Sequence, residues 1–198
     1  LVNRPVLEEY IRRQYPGFKL ISSTTKRITG LDGLLEELNK DYFLVVLDYD
    51  LNHNEEVLSA IGKQADKVEI LVNEICYPGC PKRSEHYRQK SQMQLEYDID
   101  AAFPCPNKTR ERKFEECKER PSFISREQIR EYADRGFVNF KIVGRGMPMD
   151  FVKESYLYYL VKDDSRAFIR NKMESTLNQF AQAMSCLLYT SPSPRDMR

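Results

Sequence analysis

Four short runs rich in apolar residues constrain this chain most: FKLISS (18–23), YFLVVLD (42–48), KVEILVN (67–73) and NFKIVG (139–144). Each is strand-length, and helical patterns lie between them. Leu31, Leu34, Leu35 and Leu38 after the first run share one helix face. Val57, Leu58 and Ile61 do the same after the second, with Asn52 or Asn54 as N-cap. A helix is expected to begin near Met149 after the fourth. Before that run, SREQIREYADRG (125–136) predicts a helix with a capping box of Ser125 and Gln128. Ile129, Tyr132 and Ala133 would form its buried face, and Gly136 its stop. Residues 5–15 read as a helix whose preceding strand is lost.

Apolar strands alternating with helices predict an α/β fold with a parallel sheet covered on both faces. No glycine-rich phosphate loop follows any strand, which weakens a nucleotide-binding open sheet. A full (β/α) barrel takes roughly 200 to 250 residues or more. The 185 residues that precede the tail described below therefore predict a partial TIM-type (β/α) barrel whose N-terminal strands are missing. Residue 1 is Leu rather than Met. No stretch approaches the roughly 20 apolar residues of a membrane span.

The C-terminus is read separately. Residues 186–196, CLLYTSPSPRD, match the translation of an adapter from a common transposase-based sequencing library, and Met197 and Arg198 fit a following barcode. The expected organisation is a partial barrel over 1–185 and an adapter-derived tail over 186–198. Without the tail, Lys plus Arg falls from 31 to 29 and Asp plus Glu from 30 to 29, leaving a net charge of zero. A neutral chain has no general electrostatic signature for nucleic acid.

Cys76, Cys80, Cys105 and Cys117 remain once Cys186 is set aside. They are spaced C-x3-C, a 24-residue gap, then C-x11-C. All fall in one excursion of about 74–120, whose part 84–120 is the least regular stretch of the chain. Disulfides suit a cytosolic βα protein poorly, so a shared metal site is expected. Four thiolates fit zinc or an iron–sulfur cluster. One C-x3-C pair and one long pair depart from the tight zinc knuckle, which favours a 4Fe–4S cluster, with zinc as the alternative. His86 is a second candidate ligand. The C-x3-C-x2-C signature of radical S-adenosylmethionine proteins is not met, because Arg83 stands at the third position. In a parallel sheet or barrel the strand ends meet at one carboxyl face, where ligands bind. Glu74, Lys141 and Arg145 are the candidate functional residues there, the latter two for an anionic substrate group. Ser22 and Asn52 read as ordinary capping and solvation.

The segment FISREQIREYADRGFVNFKIVGRGMPMDFVKESYLYYL resembles the collagenase-like peptidase U thirty-two family. Lys141, Ile142, Gly144 and Arg145 match its Lys-Ile-x-Gly-Arg strand. Gly136 precedes it and Tyr158 or Tyr159 follows, as in the family. The strand leading to Cys76 and Cys80 matches its cluster-binding core, and the likeness covers roughly residues 18–162. Asn73-Glu74-Ile75 replaces the usual His-Gly-Ala, Pro78-Gly79-Cys80 the usual Ser-Gly-x-Cys, and Cys105 and Cys117 stand further apart. The resemblance implies a cytoplasmic iron–sulfur enzyme of the oxygen-independent hydroxylase or nucleic-acid-modifying kind. Its substrate would be a small molecule or RNA, with a protein partner also expected. The family name implies a peptidase instead. A zinc-stabilised binding module is the non-enzymatic alternative. Neither a Ser–His–Asp nor a His-Glu-x-x-His arrangement is present, and the chain has two histidines.

Overall fold

The computed structural model describes residues 1–96, 103, 105 and 112–190, with 185–190 described by backbone alone. Two compact units divide the chain, Leu1–Pro148 and Met149–Arg198.

The first unit is built on four parallel strands: β1 (Ile21–Ser22), β2 (Leu44–Val46), β3 (Val68–Leu71) and β4 (Asn139–Lys141). Their spatial order follows their order in sequence. Leu44 pairs with Ile21, Val45 with Val68 and Ile70 with Phe140, all in parallel register. All four strands lie inside the expected runs and are shorter than them. An additional parallel bridge joins Val2 to Ser22, so one paired residue stands where the strand before the first helix was read as lost.

The helices of this unit are α1 (Pro5–Gln14), α2 (Leu31–Leu38), α3 (Glu55–Ile61), α4 (Arg83–Glu96), α5 (Phe114–Lys118) and α6 (Arg126–Asp134). Asn54, not Asn52, caps α3, its Oδ1 accepting from Val57 N at 3.1 Å. The Ser125–Gln128 capping box of α6 forms as expected. Tyr132 is buried there, Ile129 is half-buried, and Ala133 is exposed. Gly136 follows with φ +95°, a conformation that side chains with a Cβ resist.

Two departures have physical causes. The stretch expected to be irregular holds the 14-residue helix α4. Its sequence RSEHYRQKSQMQLE lacks glycine and proline and is rich in helix formers. It has no apolar stripe, and only Arg83 and Met93 are buried. The second departure concerns the sheet faces. Pleating and register place Ile21, Leu44, Val46, Glu69, Leu71, Asn139 and Lys141 on one face. Ser22, Val45, Val68, Ile70 and Phe140 lie on the other. Ser22, Val45, Val68 and Ile70 are fully buried, and Ser22 bonds to Glu37 of α2, so helices cover this face. On the opposite face Val46 and Leu71 are buried, but Ile21, Leu44, Glu69, Asn139 and Lys141 are half-exposed. Right-handed crossovers between strands taken in sequence order keep the helices on one side. The expectation of a sheet buried on both faces is corrected accordingly.

The second unit holds α7 (Met149–Leu160) and α8 (Arg166–Thr190). Arg166 donates to the carbonyls of Leu157 and Tyr158, closing the end of α7. Glu154 and Arg170 pair through two hydrogen bonds of 2.9 and 2.8 Å. Helix α8 continues through residue 186, where the tail was expected to begin. The side chain of Cys186 and residues 191–198 lie outside the described residues.

Candidate functional site

Strand β3 ends in Leu71 and the chain leaves it as Val72-Asn73-Glu74. Asn73 is fully buried. Its Nδ2 donates to the Val143 carbonyl (3.1 Å) and its Oδ1 accepts from Val143 N (2.6 Å). This pair extends the junction of β3 and β4 by one amide-like rung. Glu74 then turns its carboxylate back to accept from the backbone N–H of Cys76 at 3.0 Å. Burial pushes its carboxyl above the usual range, against the pull of the Cys76 and Ile75 N–H groups.

The cysteines follow. Gly79 has φ +67° and an added Cβ would meet nothing within 4 Å, so backbone conformation alone asks for glycine in this turn. All four described thiols are free. Cys76 lies within electrostatic reach of Glu74, Cys80 and Cys105; burial, then these neighbours, push its thiol up to about 12. Cys117, fully buried on α5, donates to the Glu74 carbonyl at 3.6 Å. Burial and Glu74 push it up to about 12, against the pull of Arg120. Glu74 thus touches the environment of both Cys76 and Cys117. His86 stacks flat on Phe103, with centroids 4.5 Å apart, and the Phe103 carbonyl accepts from Cys105 N at 2.8 Å. Among the described residues, no three His, Cys, Asp or Glu side chains stand together closely enough to hold a metal ion.

Lys141 and Arg145 do not join Glu74. Lys141 Nζ pairs with Glu69 at 2.8 Å on the half-exposed sheet face. Arg145 is exposed in the turn after β4. Ser22 is not a solvated capping residue but a buried hydroxyl bonded to Glu37.

A charged cluster not foreseen from the sequence lies beside the cysteine turn. Asp48 and Asp50 follow β2, and the Asp48 carboxylate accepts from Asp50 N at 3.0 Å. Arg27, in left-handed conformation with φ 60°, pairs with both, closely with Asp48 and at 2.7 Å with Asp50. Arg83 reaches the same carboxylates at 3.9 and 3.3 Å. Its guanidinium lies 3.6 Å over the Tyr49 ring and also donates to the Tyr77 carbonyl. Burial pulls the Arg83 side chain down to about 10.

Asn52 is a second residue that sequence reasoning undervalued. It is fully buried, and its Nδ2 donates to the carbonyls of Leu71 and Ser122 at 2.8 Å each. It fixes the end of β3 against the segment after α5. Tyr49, Asp50, His53, Pro78, Pro121 and Ser122 line an adjoining cleft of about 280 Å3. His53 bonds to the Phe123 carbonyl (2.9 Å) and the Tyr132 hydroxyl (3.2 Å). Among the described residues neither histidine is hydrogen-bonded to a carboxylate.

No family model matches the chain, and no solved structure matches it. The chain is 28% identical over 150 residues to an uncharacterized protease of Methanocaldococcus jannaschii. That match covers 73% of this chain and 44% of the relative, so the chain spans less than half the relative's length. No described helix is long and apolar enough to cross a membrane.

Proposed function

We propose that this chain is a segment of a (β/α) barrel of the peptidase U thirty-two kind, with a thiolate-held metal centre at the carboxyl end of its strands. The sequential strand order supports the barrel reading. So does a half-exposed face holding the Glu69–Lys141 pair, which a closed barrel would turn inward. The observation behind the metal reading is the arrangement around Cys76. The Cys76 thiol lies within charge reach of Cys80 and Cys105, and Cys117 donates to the neighbouring Glu74 carbonyl. Four free thiols, one buried and three half-buried, suit a soft metal. Orphaned N–H groups on buried Arg83 and Arg120 provide positive charge for an anionic centre.

Cys76, Cys80, Cys105 and Cys117 would have to draw closer than they stand here to hold an iron–sulfur cluster, which supplies one-electron chemistry when bound. The residues around it have separate tasks. Glu74, raised by burial, lies beside Cys76 with its carboxylate accepting from that residue's N–H. Arg145, exposed after β4, is free to meet an anionic substrate group. Lys141 is committed to Glu69, so its part in binding would require that pair to open. The reaction class we favour is oxygen-independent hydroxylation or modification of a small molecule or RNA, in the cytoplasm.

The relative's name supports a second reading, a peptidase. Anaerobic purification of the full chain separates them. A brown protein with visible absorption and bound iron supports the cluster. A colourless protein retaining zinc points to a zinc-stabilised module. Peptide cleavage by metal-free protein supports the peptidase and removes the proposal.

A further inference from the structure

Two adjacent residues before α3 hold two successive carbonyls of one distant segment. Asn52 Nδ2 meets the Ser122 carbonyl at 2.8 Å, and His53 Nε2 meets the Phe123 carbonyl at 2.9 Å. On its other side the His53 ring faces α6, where Nδ1 lies 3.2 Å from the Tyr132 hydroxyl. Tyr132 in turn donates to the Asn52 carbonyl at 2.6 Å. The segment held in this way is joined to the cysteine turn. Ile124 N donates to the Val72 carbonyl just past β3, and Phe123 N to the Arg120 carbonyl, both at 3.0 Å. Arg120 Nε donates to the Ile75 carbonyl beside Cys76, also at 3.0 Å.

Each contact of the His53 ring has a fixed hydrogen requirement. A carbonyl oxygen only accepts, so the bond to Phe123 requires hydrogen on Nε2. A phenol has one hydrogen, and the bond to the Asn52 carbonyl uses it. Tyr132 keeps that hydrogen at neutral pH: burial first, then Glu55 and Glu131, raise its phenol above the usual range, against the pull of Arg135. The contact with Tyr132 is therefore a hydrogen bond only when Nδ1 carries hydrogen as well. Neutral imidazole has one N–H and satisfies one side, whereas imidazolium has two and satisfies both. His53 is exposed, so its charge remains hydrated. Asp50, which lines the same cleft, pairs with Arg27 and Arg83, and Glu55 of α3 pairs with Arg135 of α6 at 3.1 Å. Glu56 and Glu131 are exposed, and residues 121–124 bring no charged side chain.

We propose that His53 is a proton-dependent latch, closed as imidazolium, that ties the entry of α3 to α6 and to residues 121–124. Loss of one proton leaves the ring a single N–H. Either the Phe123 carbonyl or the Tyr132 hydroxyl then loses its donor. If Nε2 keeps the hydrogen, the lone pairs of Nδ1 and the phenol face each other. Asn52 does not titrate, so Ser122 stays held while the His53 contacts loosen. Tyr49, Asp50, His53 and Asn54 line the cleft of about 280 Å3 together with Pro78, Pro121 and Ser122, so the latch joins two of the segments that line it. The closed latch holds one proton more than the open one. Its contribution is complete at low pH and is lost as pH rises through the range in which imidazole deprotonates. The latch requires no metal.

Amide hydrogen exchange of the full chain, followed by mass spectrometry, tests the latch. The readout is the protection of residues 121–125 after the intrinsic pH dependence of exchange is divided out. Between about pH 5.5 and about pH 8, wild type should lose protection about fivefold, the worth of about one modest hydrogen bond. His53→Gln, at an exposed position, should give the same protection at both pH values, because an amide does not titrate. Tyr132→Phe keeps the ring but removes the hydroxyl that requires hydrogen on Nδ1. Its protection should be lower than that of wild type at the lower pH and nearly constant across the range. Equal wild-type protection at both pH values overturns the latch. The wild-type fall retained in His53→Gln overturns it as well, since the proton would then reside elsewhere. The same fall retained in Tyr132→Phe overturns it too, because the proton would not serve Tyr132. Where Tyr132→Phe does not fold, His53→Gln decides alone: loss of the pH dependence upholds the latch, and its retention overturns it.

Discussion

Replacing Glu37 by glutamine tests the brace between β1 and α2. The Glu37 side chain is 4% exposed, and its carboxylate meets Lys26 at 2.6 Å and Lys40 at 2.8 Å, with Ser22 also donating. Burial alone would raise its pKa. The bonds from Lys26, Lys40 and Ser22 outweigh burial and bring the carboxyl from 4.5 down to about 2. At about 1.36 kcal/mol per pKa unit, that difference corresponds to about 3 kcal/mol. Lys40 is 48% exposed, so solvent screening reduces the expected contribution to about 2 kcal/mol. Because the folded value lies below the unfolded one, the stabilisation is complete above pH 4.5 and lost as pH falls toward about 2. Urea unfolding of wild type and Glu37→Gln should therefore differ by about 2 kcal/mol at pH 7, a midpoint shift of about 1 M for a slope of about 2 kcal/mol/M. The difference should close toward pH 2, where the protonated acid resembles the amide. A difference that stays constant with pH would refute the reasoning, because it would assign the loss to packing rather than charge.

Further outcomes follow from the cysteine region and its supports. Asn52→Ala strands the buried Leu71 and Ser122 carbonyls and should cost about 2 to 4 kcal/mol, read by thermal unfolding. Any one of Cys76, Cys80, Cys105 or Cys117 changed to serine should remove most of the bound iron by elemental analysis, whereas Cys186→Ser should remove none. Deleting residues 186–198 should leave both melting temperature and metal content unchanged; a loss of either would give Cys186 or Leu187 a role. Lys141→Met breaks a half-exposed pair with Glu69. It should change stability by less than about 1 kcal/mol and leave iron content as in wild type.

The strands were legible because burial of a parallel sheet writes itself as apolar runs. Val45, Leu47, Val68, Ile70 and Val72 are all nearly inaccessible. Their ends were less legible, since pairing stops where register does, and apolar neighbours such as Phe18 and Phe43 remain exposed. Helix α4 was missed because it is held by helix propensity and by buried Arg83 and Met93 rather than by an apolar stripe. Arg83 was noticed only for the cysteine it replaces. Its burial depends on Tyr49, Asp48 and Asp50, more than thirty residues away, which no local pattern reveals. Asn52 gave no local signal, because a buried amide joining two distant carbonyls has the same sequence signature as a helix cap.

These positions change the meaning of the polar strand ends. Glu74, Lys141 and Arg145 were grouped because parallel strands deliver their ends to one face. In the fold that edge is largely used to hold its own loops. Asp48 and Asp50 anchor Arg83, Asn52 anchors Ser122, and Asn73 anchors Val143. The cysteine turn is therefore held from the β2 end through Arg83, while Cys117 and Arg120 hold it from the α5 side. A loop held by buried charge and by bonds to backbone carbonyls keeps its cysteines in place at little expense of apolar core. It also leaves Arg145 exposed. Such an arrangement predicts a division of effects. Changes at Arg83, Asn52 or Asn73 should alter metal retention and stability together. Changes at Arg145 should alter neither, and a measured loss of iron in Arg145→Ala would place that residue in the frame of the loop rather than at its open face.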